Sequence, residues 1–250
     1  MEKFEIVSYN EKAQRELDFW KEKMVKKPSF TNKLAKNFQN KINSLIPEKF
    51  HEGITAVVKN MSRTVLFGSR FTSGKPLNDL SLEEREVKIR RKIDSYKKVG
   101  AASGAWIGAG GILLALADLP VLMSIKMKLL FAIAGAYGYD IRNYQERLFI
   151  LYIFQLAFSS HEKRAEVYQK ILTWEEHRKE LPENINDFDW RTFQQEYRDY
   201  IDIAKLLQLI PGIGAFVGAY ANHQLVDKLG ETAMNAYRLR LLNNSIEKLD

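Results

Sequence analysis

Val99-Gly-Ala-Ala-Ser-Gly104-Ala-Trp-Ile-Gly108-Ala-Gly-Gly-Ile-Leu-Leu-Ala-Leu-Ala117 is a run of 19 residues without a charge, built from five Gly, six Ala, one Ser and only seven larger apolar residues. A glycine inside a helix costs roughly 1 kcal/mol relative to alanine, so five of them would cost on the order of 4–5 kcal/mol if the segment is helical. Close packing offsets such a cost. Gly100, Gly104 and Gly108 recur at i, i+4 and lie on one helix face, where the missing side chains let a second backbone approach. The stretch Gly214-Ala-Phe-Val-Gly218-Ala219 repeats Gly104-Ala-Trp-Ile-Gly108-Ala109, with an aromatic and a β-branched residue in matching places. The pattern predicts that these two glycine faces pack in a central helical hairpin or against each other.

Length leaves a membrane span open as a second reading. Val99–Ala117 and Leu206–Val226 are 19 and 21 residues without charge, and a span needs about 20 apolar residues. Composition argues against it. Gly, Ala and Ser make up twelve positions of the first run, and the second contains Gln208, Pro211, Asn222, His223 and Gln224. Core helices are the expectation, with an integral or reversibly inserting protein as the alternative.

Outward from this centre the chain reads as all-α. Its six prolines, at 28, 47, 76, 120, 182 and 211, stand between apolar-periodic stretches, and no Asn-Gly or Asp-Gly hairpin signal occurs. From Thr31, residues Leu34, Phe38, Ile42, Leu45 and Ile46 recur at helical steps while Lys33, Lys36 and Lys41 fall on other faces, which predicts a basic amphipathic helix ending before Pro47. Phe50–Phe67 is a further apolar-rich stretch. Ser81 with Glu84 three positions on is a capping box opening a charged helix with Leu82, Ile89, Ile93 and Tyr96. Asp118 and Pro120 predict a helix start over 121–139, interrupted on one side by Lys126 and Lys128. Later helices are expected near 143–159, 163–180 and 189–209, and a last one follows the second glycine segment to about Leu242. The expected architecture is a multi-helix bundle with glycine-rich central helices: residues 1–98 as a basic arm, 99–250 as the core, forming one continuous domain.

Charge separates the same two parts. The chain has 250 residues and a net charge of +7. Residues 1–99 hold 22 basic and 13 acidic side chains, a net of +9, and the remainder hold 16 and 18, a net of −2. A local basic surface suits an anionic partner. The helix of residues 31–46 fits an anionic membrane surface, with Lys33, Lys36, Lys41 and Phe38 as contacts, each lysine contributing about 1 kcal/mol at most. A core-packed helix with a solvated basic rim is the competing account. Nucleic acid is not expected, because no basic–aromatic module accompanies the charge. Met1–Lys12 carries three glutamates and no apolar core of a signal peptide, so a cytoplasmic location is expected, peripheral at the inner face of the membrane.

No reaction is legible. Cysteine is absent, and His51, His161, His177 and His223 form no metal motif. Glu175, Glu176 and His177 read as a solvated helix face. Gly68 to Lys75 differs from a phosphate loop, with five residues between Gly68 and Gly74 and Pro76 in place of the metal-binding hydroxyl. No catalytic residue, cofactor or metal is therefore assigned. The informative polar residues are those set among apolar ones: Asp118, Asp140, Arg147, Asn222 and Arg238. Such groups must be paired when buried. Their other reading is a polar pocket, in which Asp118, Asp140 and Arg147 would serve a hydrolase or lipid-modifying enzyme.

A family resemblance rests on ordered motifs. Gly108-Ala-Gly-Gly111, Ala117-Asp-Leu-Pro120, Tyr137-Gly-Tyr-Asp140 with Glu146-Arg147, Pro211-Gly-Ile-Gly-Ala215 with Gly218 and Asn222, and Ala236-Tyr-Arg-Leu-Arg240 together resemble the EcsC protein family. The likeness extends to Pro47-Glu-Lys, Leu66-Phe-Gly-Ser69 and the segment Asp189–Tyr200. It implies a helical accessory protein acting at or near the membrane, with subunits of an ABC transporter linked to protein secretion as partners. It brings no catalytic residues, and it says nothing of oligomeric state.

Overall fold

The computed structural model describes residues 8–26, 48–67, 76–77, 79–107, 111–160, 163–200 and 215–246. Within them the chain forms nine α-helices and no strand, an all-α arrangement. These are α1 (Tyr9–Val25), α2 (Glu48–Phe67), α3 (Leu82–Ile107), α4 (Gly111–Ala136), α5 (Tyr144–Phe158), α6 (Arg164–Leu172), α7 (Trp174–Glu180), α8 (Trp190–Tyr200) and α9 (Ala215–Ile246), with a 3-10 turn at Ile185–Asp187.

The centre is α5. Asn143 caps it by accepting from Gln145 N, and from Leu148 to Phe158 every residue is buried. A helix apolar all round must be enclosed, and α2, α4, α6 and α9 enclose this one. The second buried element is α9, whose residues Thr232 to Arg240 are all inaccessible. Its most extensive partner is α3, which runs antiparallel to it: Glu86 meets Arg238, Ile93 meets Gly230 and Lys97 meets Asp227. At Gly230 an added Cβ would lie 2.5 Å from Ile93 Cδ1, so this glycine sets the approach of the two backbones.

The Ser81 capping box opens α3 as expected, with Glu84 N donating to Ser81 Oγ and Ser81 N to the Glu84 carboxylate. Gly100 and Gly104 belong to α3 and Gly218 to α9, the two helices that pack most extensively. No helix among the described residues is long and apolar enough to cross a membrane. The uncharged run Val99–Ala117 is divided between the end of α3 and the start of α4. Moreover, α3 passes through residue 99 unbroken, so the compositional boundary between arm and core lies inside a helix.

Other expectations need correction. Pro120 does not open a helix: α4 starts at Gly111 and carries Pro120 inside it, and Asp118 lies within that helix instead of capping it. An internal proline costs about 3 kcal/mol. Burial of Leu122, Met123, Met127, Leu129 and Leu130 on the following turns outweighs it. The helix ends earlier than 139, at a Schellman motif in which Gly138 takes φ 93°, Tyr139 N donates to Ala134 O and Gly138 N to Gly135 O. The helix expected over 163–180 breaks at Thr173, whose hydroxyl turns back to Gln169 O while Trp174 enters the core. An unexpected helix, α1, opens with its own capping box at Ser8 and Glu11 and buries Ala13, Leu17, Trp20 and Met24. The expected basic helix of residues 31–46 lies outside the described residues.

Candidate functional site

Two arginines near the end of α9 organise the buried charge. Arg238 and Arg240 are two positions apart on a helix, so their side chains leave on nearly opposite sides. Arg238 reaches towards α3 and α1. It is 2% exposed, and its Nε and Nη2 donate to Glu86 Oε1 and Oε2 at 2.6 and 2.5 Å. Nη1 meets Glu16 at 2.8 Å and Asn235 Oδ1 at 3.2 Å. Glu86, fully buried, also accepts from the Tyr9 hydroxyl at 2.6 Å and the Tyr137 hydroxyl at 2.9 Å. Burial disfavours its charge, yet the hydrogen bonds from Arg238, Tyr9 and Tyr137 outweigh this and hold the carboxyl below its ordinary pKa. Burial and the neighbouring carboxylate push the Tyr137 phenol well up.

Arg240 reaches the other way, towards α5 and α7. Its Nη1 and Nη2 grip Glu146 at 2.8 and 2.9 Å, and Nε donates to Glu175 at 2.9 Å. Its guanidinium carbon lies 4.0 Å from the Tyr139 ring centre and 4.5 Å from that of Phe149, a cation–π arrangement in a desolvated setting. Burial raises Tyr139 to about 12. Glu175, expected to be solvated, is thus half of a structural ion pair.

Of the five polar residues singled out from the sequence, the three whose side chains are described, Asp140, Arg147 and Arg238, have separate partners. Arg238 is buried and paired as just described. Arg147 instead serves backbone carbonyls. Its Nε and Nη2 donate to Leu66 O at 3.0 and 2.9 Å, and Nη1 donates to Ile141 O and Arg142 O. It thereby satisfies a carbonyl at the end of α2 and ties that helix to the loop before α5. Asp140 is not buried. Its side chain is 40% exposed and pairs with the exposed Arg142 at 2.5 Å. The side chains of Asp118 and Asn222 lie outside the described residues, as do Lys33, Lys36, Lys41 and Phe38, and Gly108 and Gly214. Glu16, Glu86, Glu146 and Arg240 are the residues sequence reasoning missed. Glu86 had a signal, since it shares a helical stripe with Ile89 and Ile93.

Every oxygen of Glu86 and every nitrogen of Arg238 has an internal partner, so the cluster ties α1, α3 and α9 together. Beside it, α1, α3 and α9 border an open groove of about 410 Å³ lined by Glu16, Arg90, Lys97, Asp227, Glu231 and Arg238. Its cations are also occupied: Arg90 pairs with Glu16, and Lys97 with Asp94 and Asp227. An apolar groove of about 200 Å³ lies between α2 and α4, lined by Val57, Met61, Val65, Pro120 and Met127. No group of three His, Asp or Glu that would hold a metal occurs among the described residues.

Comparison with known proteins agrees with the motifs. The chain is 46% identical over 227 residues to Protein EcsC of Bacillus subtilis (strain 168), covering 90% of this chain and 93% of that protein. It is 25% identical over 258 residues to the uncharacterized protein YdbA of the same organism, covering 94% of each. No solved structure matches. The sequence profile of the EcsC protein family matches residues 11–242, nearly the whole length, and on that breadth the chain belongs to the EcsC protein family.

Proposed function

We propose that this protein is a non-enzymatic helical accessory protein acting at the cytoplasmic face of the membrane, with subunits of an ABC transporter linked to protein secretion as its partners. The observation that carries the reading is the separation of charge, +9 in residues 1–99 against −2 in the rest. A basic surface of this kind is attracted to anionic lipid and screened by salt, which suits reversible attachment. Family membership supports the accessory role, and the internally saturated arginine clusters favour scaffolding over catalysis. Fractionation of cells producing the full chain tests it. The protein is expected to sediment with membranes at low salt and to leave them in high salt and in alkaline carbonate. Retention through carbonate would make it integral, and recovery in the supernatant at low salt would end the membrane reading.

A further inference from the structure

We infer that the outward face of α3, formed by Lys88, Arg91, Lys92 and Lys98, is the surface that rests on an anionic lipid bilayer. The inference rests on the membrane reading above and names where contact is made. At 100° per residue these four side chains and Ser95 fall within one stripe, and the helical rise from 88 to 98 extends it over about 15 Å. All five are exposed. The opposite side of the helix carries Glu86, Ile89 and Ile93 into the body.

The stripe is distinguished by what its charges do not do. Arg85 donates to Leu80 O and Tyr137 O, Arg90 meets Glu16 and Glu86, and Lys97 meets Asp94 and Asp227. The inward and flanking cations of α3 are therefore occupied. No hydrogen bond or ion pair among the described residues engages Arg91, Lys92 or Lys98. Of the acidic residues of the helix, Glu86 is buried and Asp94 faces Lys97, while Glu83 and Glu84 stand in the first turn, Glu84 bound by the Ser81 cap and near enough to Lys88 to feel its charge. From Arg91 onward the outward face thus presents a positive row without an acidic partner, and like charges at i, i+3 and i, i+4 oppose helix formation unless a counter-surface is present. Val87, 40% exposed, stands at its edge and offers an apolar contact at headgroup depth.

A bilayer is the occupant these features fit. Three of the four cations are lysines, point charges on flexible stems that need no shaped partner, and a straight row matches a flat anionic sheet. Single-stranded nucleic acid would call for stacking aromatics beside the charge, and the aromatic of this segment, Tyr96, packs against the core.

The test is co-flotation of the full chain at low salt with vesicles of phosphatidylcholine alone or mixed with phosphatidylglycerol. It compares the wild type, a quadruple variant (Lys88→Gln, Arg91→Gln, Lys92→Gln, Lys98→Gln) and a triple variant (Lys33→Gln, Lys36→Gln, Lys41→Gln), each checked for an unchanged melting curve. Expected is binding of the wild type to the anionic vesicles only, and loss of affinity on the order of 600-fold in the quadruple variant, since each such cation is worth roughly fivefold. The triple variant is expected to keep most of its binding. Equal binding by wild type and quadruple variant would remove α3 as the contact and leave the membrane reading standing. Absence of wild-type binding to anionic vesicles would remove both. Tighter binding of the wild type to a DNA duplex than to vesicles, lost in the quadruple variant, would overturn the lipid assignment in favour of nucleic acid.

Discussion

At the scale of single residues, Glu86 and Lys126 are two buried charges that the fold treats in opposite ways. Glu86 is held ionised by the hydrogen bonds from Arg238, Tyr9 and Tyr137. Glu86→Gln leaves Arg238 buried without its counter-charge and is expected to cost about 3–5 kcal/mol in urea unfolding, whereas Glu86→Leu with Arg238→Met, which removes both charges, costs far less. A double variant as unstable as the single one would mean that packing, not charge, is what the site supplies. Because the folded carboxyl lies below its ordinary pKa of 4.5, its contribution is complete above that value and is lost as pH falls through the lower folded one. The acid limb of the wild-type stability curve should therefore be steeper than that of Glu86→Gln. Burial pulls Lys126 down from 10.5 to about 8. Between those values the unfolded chain holds a proton that the folded chain has released, so stability rises with pH across the window. Lys126→Met keeps the bulk without the charge. Its stability is expected to lose the rise between pH 8 and 10.5 that the wild type shows in urea unfolding. Parallel curves at all pH would show that the ammonium is not desolvated. Sequence alone marked Arg238 as a buried charge and Lys126 as an interruption of an apolar helix. It did not pair Arg238 with Glu86, because the two are 152 residues apart and meet only when α3 folds against α9.

At the scale of elements, the pairing of α3 with α9 decides how closely backbones approach. Gly230→Ala gains helix propensity but drives a methyl into Ile93, whose Cδ1 and Cγ1 would be 2.5 and 2.8 Å away. A net loss of about 1–2 kcal/mol is expected in thermal melting. Gly230→Ala combined with Ile93→Ala should be less destabilised than the sum of the single changes by about 1 kcal/mol, and strict additivity would show that the two positions do not touch. The antiparallel register joins Glu86 to Arg238 and Lys97 to Asp227, and the glycine faces expected from the sequence further along these two helices are tested by substitution. Gly218→Leu should then lower the melting temperature clearly, and an unchanged melt would refute the close approach of the glycine faces. These helices were legible because capping boxes, apolar periodicity and glycine spacing all agreed. The helix α1 was not read, although Ser8 and Glu11 repeat the device of Ser81 and Glu84, because eight of its 17 residues are charged and mask the stripe of Ala13, Leu17, Trp20 and Met24. Pro120 and Thr173 misled in opposite directions. A proline that local rules make a helix start sits inside one, and a threonine that they allow in a helix ends one, since in both places burial of the neighbouring apolar residues decides.

At the scale of the whole molecule, the charge boundary between a basic arm and a near-neutral body falls inside a helix. The helix α3 belongs to both parts, its charged half supplying the partner of Arg238 and its glycine-rich half continuing into the uncharged run. From the basic part, α1 seals the body through Trp20, which stacks edge-on against Tyr168 of α6, and through Glu16 against Arg238 and Arg90. The same part supplies α2, whose Leu66 carbonyl takes two donors from Arg147 and whose Val58, Met61, Val65 and Leu66 are core residues. Without residues 1–98, α9 would keep Arg238 facing an empty position and α5 would lose one of its covering helices. A fragment of residues 99–250 is therefore expected to unfold without a cooperative transition and to exchange the amide hydrogens of α5 and α9 rapidly, whereas in the full chain those helices should be the slowest to exchange. A sharp melt of the fragment with the α5 and α9 amides protected to the level of the full chain would restore the two-part description, and would make the charged segment an appendage that the core does not need.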